Sequence, residues 1–248
     1  MLRGFYIASN GLINQQKTLE TISNNIANSQ TPGYKADTSI QNTFKRELIL
    51  LNGGRKNSTG TIEYKYTEAS YTGLTQGSFE FTKSPLDVAI QGPVYFNVES
   101  NAGDKLLTRS GQFKIDDEGY LALENAGKVL GQNGAIYVGK SDFTISNSGE
   151  ILINGKSIDK LQLSYVDDTK NIEKFGNNTF KLVGDASGQV PQDIKYSIIQ
   201  GAYERSNVDV GVEMTRAMAA QRSFEAMSQA LKQMDLINQR AANELAKI

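Results

Sequence analysis

The chain has 248 residues, 39% of them hydrophobic, with 26 Lys or Arg against 27 Asp or Glu. That suffices for one buried core, or a core plus a smaller helical part, and the balanced charge offers no clustered cations for nucleic acid or an anionic membrane. With no Cys and no His, disulfides, thiolate nucleophiles, imidazole bases and the usual zinc sites are excluded, which leaves catalysis only carboxylate, Lys, Tyr or Ser chemistry.

The apolar run from Leu2 to Ile13 is short, carries one Arg and is interrupted by Ser9-Asn10-Gly11. It does not read as a secretory signal, and no run of about 18 apolar residues is available to insert into a bilayer. Phe5, Ala8, Leu12, Gln15, Leu19, Ile22 and Ile26 instead recur at spacings of three and four, the seam of a helix that packs on another helix. This helix is expected to end near Ser29, where Asn28, Ser29 and Thr31 compete for backbone hydrogen bonds. Pro32-Gly33 fits the centre of a type II turn, with Gly supplying the positive φ. Beyond Lys35 the pattern weakens. Phe44 to Leu51 reads as a short helix, and Asn52 to Gly60 as a polar loop without the Gly-Lys-Ser/Thr of a phosphate loop.

After Thr61 the period becomes strand-like. Ile62, Tyr64 and Tyr66, then Phe79 and Phe81, alternate with polar residues and predict an extended, half-buried connector. From Leu86 to Val183 short apolar strands follow one another, among them Val88 with Ile90, Tyr95 to Val98, Phe113 with Ile115, Leu121 with Leu123, Ile136 with Val138, Ile151 with Ile153, and Phe180 with Leu182. Turn clusters separate them, including Asn154-Gly155, the favoured pair for a type I′ hairpin. An all-β domain is the expectation. Its densest carboxylate group, Asp116-Asp117-Glu118, reads as a solvated turn, since three adjacent residues do not face each other across a glycan as a hydrolase requires. A last strand near Tyr196 to Ile199 precedes a long amphipathic helix capped by Ser206 or Asp209, with Val210, Met214, Ala217, Phe224, Met227, Leu231, Met234 and Ile237 on its stripe. Two arrangements satisfy the terminal stripes: a helical hairpin within one chain, or packing between copies.

Several separated motifs carry a family resemblance. Ser9-Asn10-Gly11-Leu12, Asn24-Asn25-Ile26-Ala27-Asn28 and Gly33-Tyr34-Lys35 resemble the N-terminal signature of the bacterial flagellar rod and hook family. Pro85 to Gly92, Thr108 to Phe113 and Val129-Leu130-Gly131 are similar to its central motifs, and Ser206-Asn207-Val208-Asp209 and Gln221 to Glu225 to its C-terminal signature. Pro93-Val94 and Ser9-Asn10 depart from the pattern. The short connector resembles rod members more than hook members, which carry a larger central insertion.

The resemblance implies an α+β, multi-part fold. Residues 1–33 and 205–248 would form a discontinuous helical coiled-coil assembly domain, 34–84 a β-rich connector, and 85–204 a central all-β domain. It implies no enzyme activity, cofactor or metal. The implied role is a structural subunit of the basal-body rod, self-assembling into a drive shaft around an export channel. Partners would be copies of itself, adjoining rod and hook proteins, the flagellar export apparatus and bushing rings. The implied assembly interface comprises Leu12, Leu19, Ile22, Asn25, Ile26, Asn28, Pro32, Gly33, Tyr34, Ser206, Asn207, Val208, Met214, Gln221, Phe224 and Leu231. The alternatives are a hook-type axial protein, a cell-wall glycan hydrolase, and a monomeric adhesin or scaffold.

Overall fold

The computed structural model describes residues 2–43, 65–100, 102–139, 142–166, 172–183 and 190–245. The short helix expected from Phe44 to Leu51, the loop from Asn52 to Gly60, and Ile62 and Tyr64 lie outside the described residues. The chain has an N-terminal helix, a large β-rich central region and a C-terminal helix, an α+β composition. It divides into two compact units.

The first unit takes Met1–Ala27, Asp37–Thr72 and Asp209–Ile248. It contains helix α1 (Leu2–Ala27), the antiparallel pair β1 (Asp37–Thr43) and β2 (Lys65–Thr72), and helix α2 (Val210–Leu245). Helix α1 stops two residues short of the expected Ser29. Helix α2 begins as a capped helix should: Asp209 Oδ1 accepts the N–H groups of Gly211 and Val212 at 2.9 and 3.1 Å, so of the two expected caps Asp209 is the one used. The covered face of α2 includes Val210, Glu213, Ala217, Ala220, Phe224, Met227, Leu231, Met234 and Asn238, spaced three and four apart, with Ser223, Ser228 and Ala230 partly covered beside them. Met214 and Ile237, assigned to this stripe from the sequence, are instead 53% and 59% exposed. Their places on the seam go to Glu213 and Asn238. The two helices meet closely where α1 carries Gly11: a Cβ there would lie 2.7 Å from Met227 Sδ.

Helix α1 also has a polar inner face that periodicity of apolar residues does not reveal. Asn14 and Asn25 are buried. Asn25 exchanges two hydrogen bonds with the Asp37 backbone, donating to its carbonyl at 2.8 Å and accepting its N–H at 2.9 Å. Thr18 and Ser39 share a hydroxyl hydrogen bond of 3.3 Å. These bonds satisfy the groups that the start of β1 would otherwise bury unpaired.

The second unit takes Asn28–Ala36 and Gly73–Val208. In chain order its strands are β3 (Phe79–Phe81), β4 (Val88–Gln91), β5 (Val94–Glu99), β6 (Lys105–Thr108), β7 (Phe113–Ile115), β8 (Leu121–Leu123), β9 (Gly127–Gly131), β10 (Gly134–Ala135), β11 (Phe143–Ile145), β12 (Glu150–Ile153), β13 (Lys156–Lys160), β14 (Leu163–Tyr165), β15 (Ile172–Gly176), β16 (Thr179–Leu182), β17 (Ser197–Gln200) and β18 (Ala202–Glu204). The largest sheet runs β15-β16-β6-β5-β9-β8-β7, with β10 on β9 and β14 on β5. A second sheet is β11-β12-β13, and β17 pairs with β4 and β18 with β3. Strand β5 is the pivot because it is buried on both faces. Val94, Phe96 and Val98 join the main core with Val88, Leu121 and Ile198, while Tyr95 points into a second cluster with Leu107, Val166 and Phe180. Period-2 geometry separates one strand's side chains between two cores.

The strand reading differs at several places, among them β1, β10 and β18, which were not anticipated. Ile136 and Val138 are buried but irregular, held by an isolated Tyr120–Tyr137 bridge rather than a ladder. Phe81, expected half-buried, is 70% exposed. Strands β13 and β15 were not anticipated, being edge strands whose exposed side chains show no alternation.

Candidate functional site

The second unit holds a buried charged node where the first residues after α1, the β strands and the last residues before α2 converge. Its entrance is the turn Thr31-Pro32-Gly33-Tyr34, closed by Tyr34 N–H donating to Thr31 O at 3.2 Å. Gly33 adopts φ +67°, as a type II turn requires. Its N–H donates to Glu204 O at 2.7 Å, and the Pro32 carbonyl accepts from Asn178 Nδ2 at 2.7 Å. Tyr34 is buried, with Lys174 Nζ 4.5 Å from its ring centre. Lys174 also donates to Lys35 O at 3.0 Å.

Lys35, Arg109 and Glu204 form the node itself, each at most 3% exposed. Lys35 Nζ donates to Glu204 Oε1 at 2.6 Å and to Thr75 O at 2.7 Å. The same carboxylate oxygen accepts Gly77 N–H at 2.9 Å, and its other oxygen faces Arg109 at 3.4 Å. Arg109 donates onward to Gly92 O at 2.7 Å and stacks over the Tyr95 ring at 4.5 Å. Two cations thus share one carboxylate away from water. Arg holds its proton under all ordinary conditions, so the strain falls on the lysine: burial pushes the Lys35 ammonium below its ordinary pKa, against the pull of Glu204. Burial likewise raises the Tyr95 phenol. Sealed from solvent, these charges do no acid–base work on a substrate; they fix which segments of chain lie together. Replacing Glu204 by Ala strands two buried cations, and should lower the unfolding free energy by about 3–5 kcal/mol, read as a shift in denaturant midpoint. Glu204→Gln, which keeps an acceptor, should cost less.

Beside the node lies Asn207. Its Oδ1 accepts Ala36 N–H at 2.7 Å, and its Nδ2 donates to Gly73 O at 3.0 Å and to Thr75 O and Oγ1 at 3.1 and 2.9 Å. Ser206 Oγ accepts the Val208 N–H at 3.3 Å, ordering the approach to α2. In this unit the structure therefore brings together Pro32, Gly33, Tyr34, Ser206, Asn207 and Val208, with Asn28 at the turn's start, where its carbonyl and side chain bind Thr31.

The remaining residues singled out in the sequence belong to the helical unit. Ile22 is buried, Leu12, Leu19, Ile26, Phe224 and Leu231 are half-buried, and Asn25 holds Asp37 as described. Ile22 and Ala220 floor an open cavity of about 380 Å³ rimmed by Thr18, Asp37, Glu213 and Arg216. Met214 and Gln221 do not join the seam; both are exposed, and Gln221 donates along its own helix to Glu225. The acidic turn is structural: Asp116 Oδ1 accepts the N–H groups of Glu118 and Tyr120, and Glu118 pairs with Lys128. Sequence reasoning missed Glu204 and Asn178 altogether. Lys35 and Arg109 stood inside quoted motifs, but nothing local in the sequence signals an ion pair across 169 residues.

The sequence has counterparts among known proteins. Residues 5–35 match the family described as flagella basal body rod protein, 89–153 the flagellar hook protein FlgE/F/G D1 domain, and 199–245 the flagellar basal body rod FlgEFG protein C-terminal domain. The chain is 30% identical over 271 residues to the flagellar hook-basal body complex protein FlhO of Bacillus subtilis, with all of both chains covered. It is 30% identical to the flagellar basal-body rod protein FlgG of Caulobacter vibrioides, covering 92% of this chain and 94% of that one. Against FlgF of the same bacterium identity is 25% over the full length of both. The chain belongs to the flagellar rod and hook axial family. It is a structural rod protein of the flagellar basal body.

Proposed function

We propose that the helical unit is the assembly surface of this subunit, and that copies join through it into a helical rod that transmits torque and encloses an export channel. What supports this is the apolar surface left over once the intrachain seam is filled. Phe5, Ile13, Met214, Met218, Leu236 and Ile237 remain 48–59% exposed on α1 and α2, and such surface on a helix pair calls for further helices to cover it. In this reading residues 1–33 and 205–248 form the coiled-coil assembly domain, 34–84 the connector and 85–204 an outer β domain. Adjoining rod and hook proteins meet its ends, the export apparatus lies at the base, and bushing rings surround it. The assembly interface is then the half-buried seam of Leu12, Leu19, Ile26, Phe224 and Leu231 together with the exposed stripe that includes Met214.

The stripe gives the sharper test. Met214→Lys with Met218→Lys leaves every covered seam position intact, so the purified variant should keep its helical content while cells carrying it build no rods visible by electron microscopy. Normal rods in that double variant would refute an assembly role for this face.

A further inference from the structure

The chain passes between its two units four times, after residues 27, 36, 72 and 208. Three of these passages leave the β-rich unit within reach of one side chain. Ala36 and Gly73 are the last residues of that unit on their segments, and Gly73 N–H donates to Ala36 O at 2.8 Å. Asn207, one residue before the third exit, spans both: its carbonyl oxygen takes the Ala36 N–H and its amide nitrogen holds Gly73 O and Thr75. Its own N–H donates to Tyr34 O at 3.4 Å. We infer that Asn207 is a positioning residue that clamps the three exits into a single bundle, so that load arriving along any one segment is shared by all.

The chemistry explains why an amide is used. The site must offer one acceptor toward Ala36 and at least one donor toward Gly73 and Thr75 from a single short side chain, and a carboxamide presents an acceptor oxygen and two N–H donors on one planar group. Asp supplies the acceptor without the donors. Gln supplies both, one methylene further out than the segments lie. The neighbouring Lys35–Glu204 pair holds the stretch after Gly73 one step deeper, through Thr75 O and Gly77 N–H. Asn207 ties the segments at their last residues in the β-rich unit.

The importance of the clamp for motility rests on the rod reading above, but its existence does not, so the test has two independent arms. The first uses the purified full-length chain and amide exchange. Asn207→Ala should speed exchange at Gly73 at least tenfold, although Asn207 makes no bond to that N–H, while Val88 and Ile198 in the β core keep wild-type protection. Asn207→Asp should leave Ala36 protected and still expose Gly73. If Asn207→Ala changes exchange at Ala36 alone, Asn207 pins one segment and the clamp is wrong. The second arm compares swimming in dilute medium and in medium thickened with an inert polymer. Cells carrying Asn207→Ala should assemble rods, swim in the first, and slow at least threefold more than wild type in the second. Equal slowing in a strain with normal rods overturns the load-sharing role, whereas swimming in a strain deleted for the chain overturns the rod reading instead.

Discussion

Leu19→Asp and Ile22→Asp are each expected to abolish motility while the β-rich unit keeps its fold, and to do so at different steps. Ile22 is 5% exposed and shares the cavity floor with Ala220, so a carboxylate there loses most of its hydration within the single chain, at a cost of several kcal/mol. The expected signature is lost helicity in the purified monomer. Leu19 is only half-buried in the chain. Its carboxylate can stay wet in the monomer and meets its full penalty only when another copy covers the seam, so helicity should survive while rod assembly fails. Both variants should retain near-UV aromatic signal from the β core, which lies in the other unit. Swimming cells with Leu19→Asp would show that this position is not covered by a neighbour.

Gly33→Val is expected to cripple folding of the β-rich unit itself. At φ +67° a β-branched residue is strained by about 1–3 kcal/mol. The new Cβ would also lie 2.4 Å from the Arg109 carbonyl carbon and the Ser110 nitrogen. Backbone atoms in a packed unit cannot step aside cheaply, which adds a further penalty of about 1–3 kcal/mol or more. The turn would have to move, and with it the Gly33–Glu204 bond and the seating of Lys35. A large drop in denaturant midpoint, together with absent rods, is the expected outcome; a midpoint unchanged from wild type would mean the turn tolerates the shift.

The parts that sequence made legible are those whose cause is local. Pro32-Gly33 and Asn154-Gly155 carry their turns in their own backbone preferences, and Gly33, Asn154 and Gly155 all adopt the positive φ expected. Asp209 caps α2 with its own carboxylate. The core strands from Val88 to Val98 announce themselves by apolar alternation. What was hidden has non-local causes. Strand β15 is an edge whose residues face water on both sides, so no burial imposes a period on it. Met214 looked like a seam residue because helices tolerate either of two adjacent stripes until a partner selects one, and here the partner selected the stripe with Glu213. The polar face of α1 is legible only once Asp37 and Ser39 are known to lie against Asn25 and Thr18. The same holds for Lys35 and Glu204, which acquire meaning only through the fold that joins them.

That last pair has a consequence for how the protein comes into being. Lys35 leaves the ribosome early and its carboxylate is made 169 residues later, while α1 must wait longer still for α2. Neither unit can therefore complete as the nascent chain lengthens, the usual economy of domains that fold one after another during synthesis. A product broken off before Glu204 holds two basic residues with nothing to neutralise them and an N-terminal helix with no counterpart. Incomplete subunits are thus denied the folded form, and only a chain that already includes α2 can adopt it.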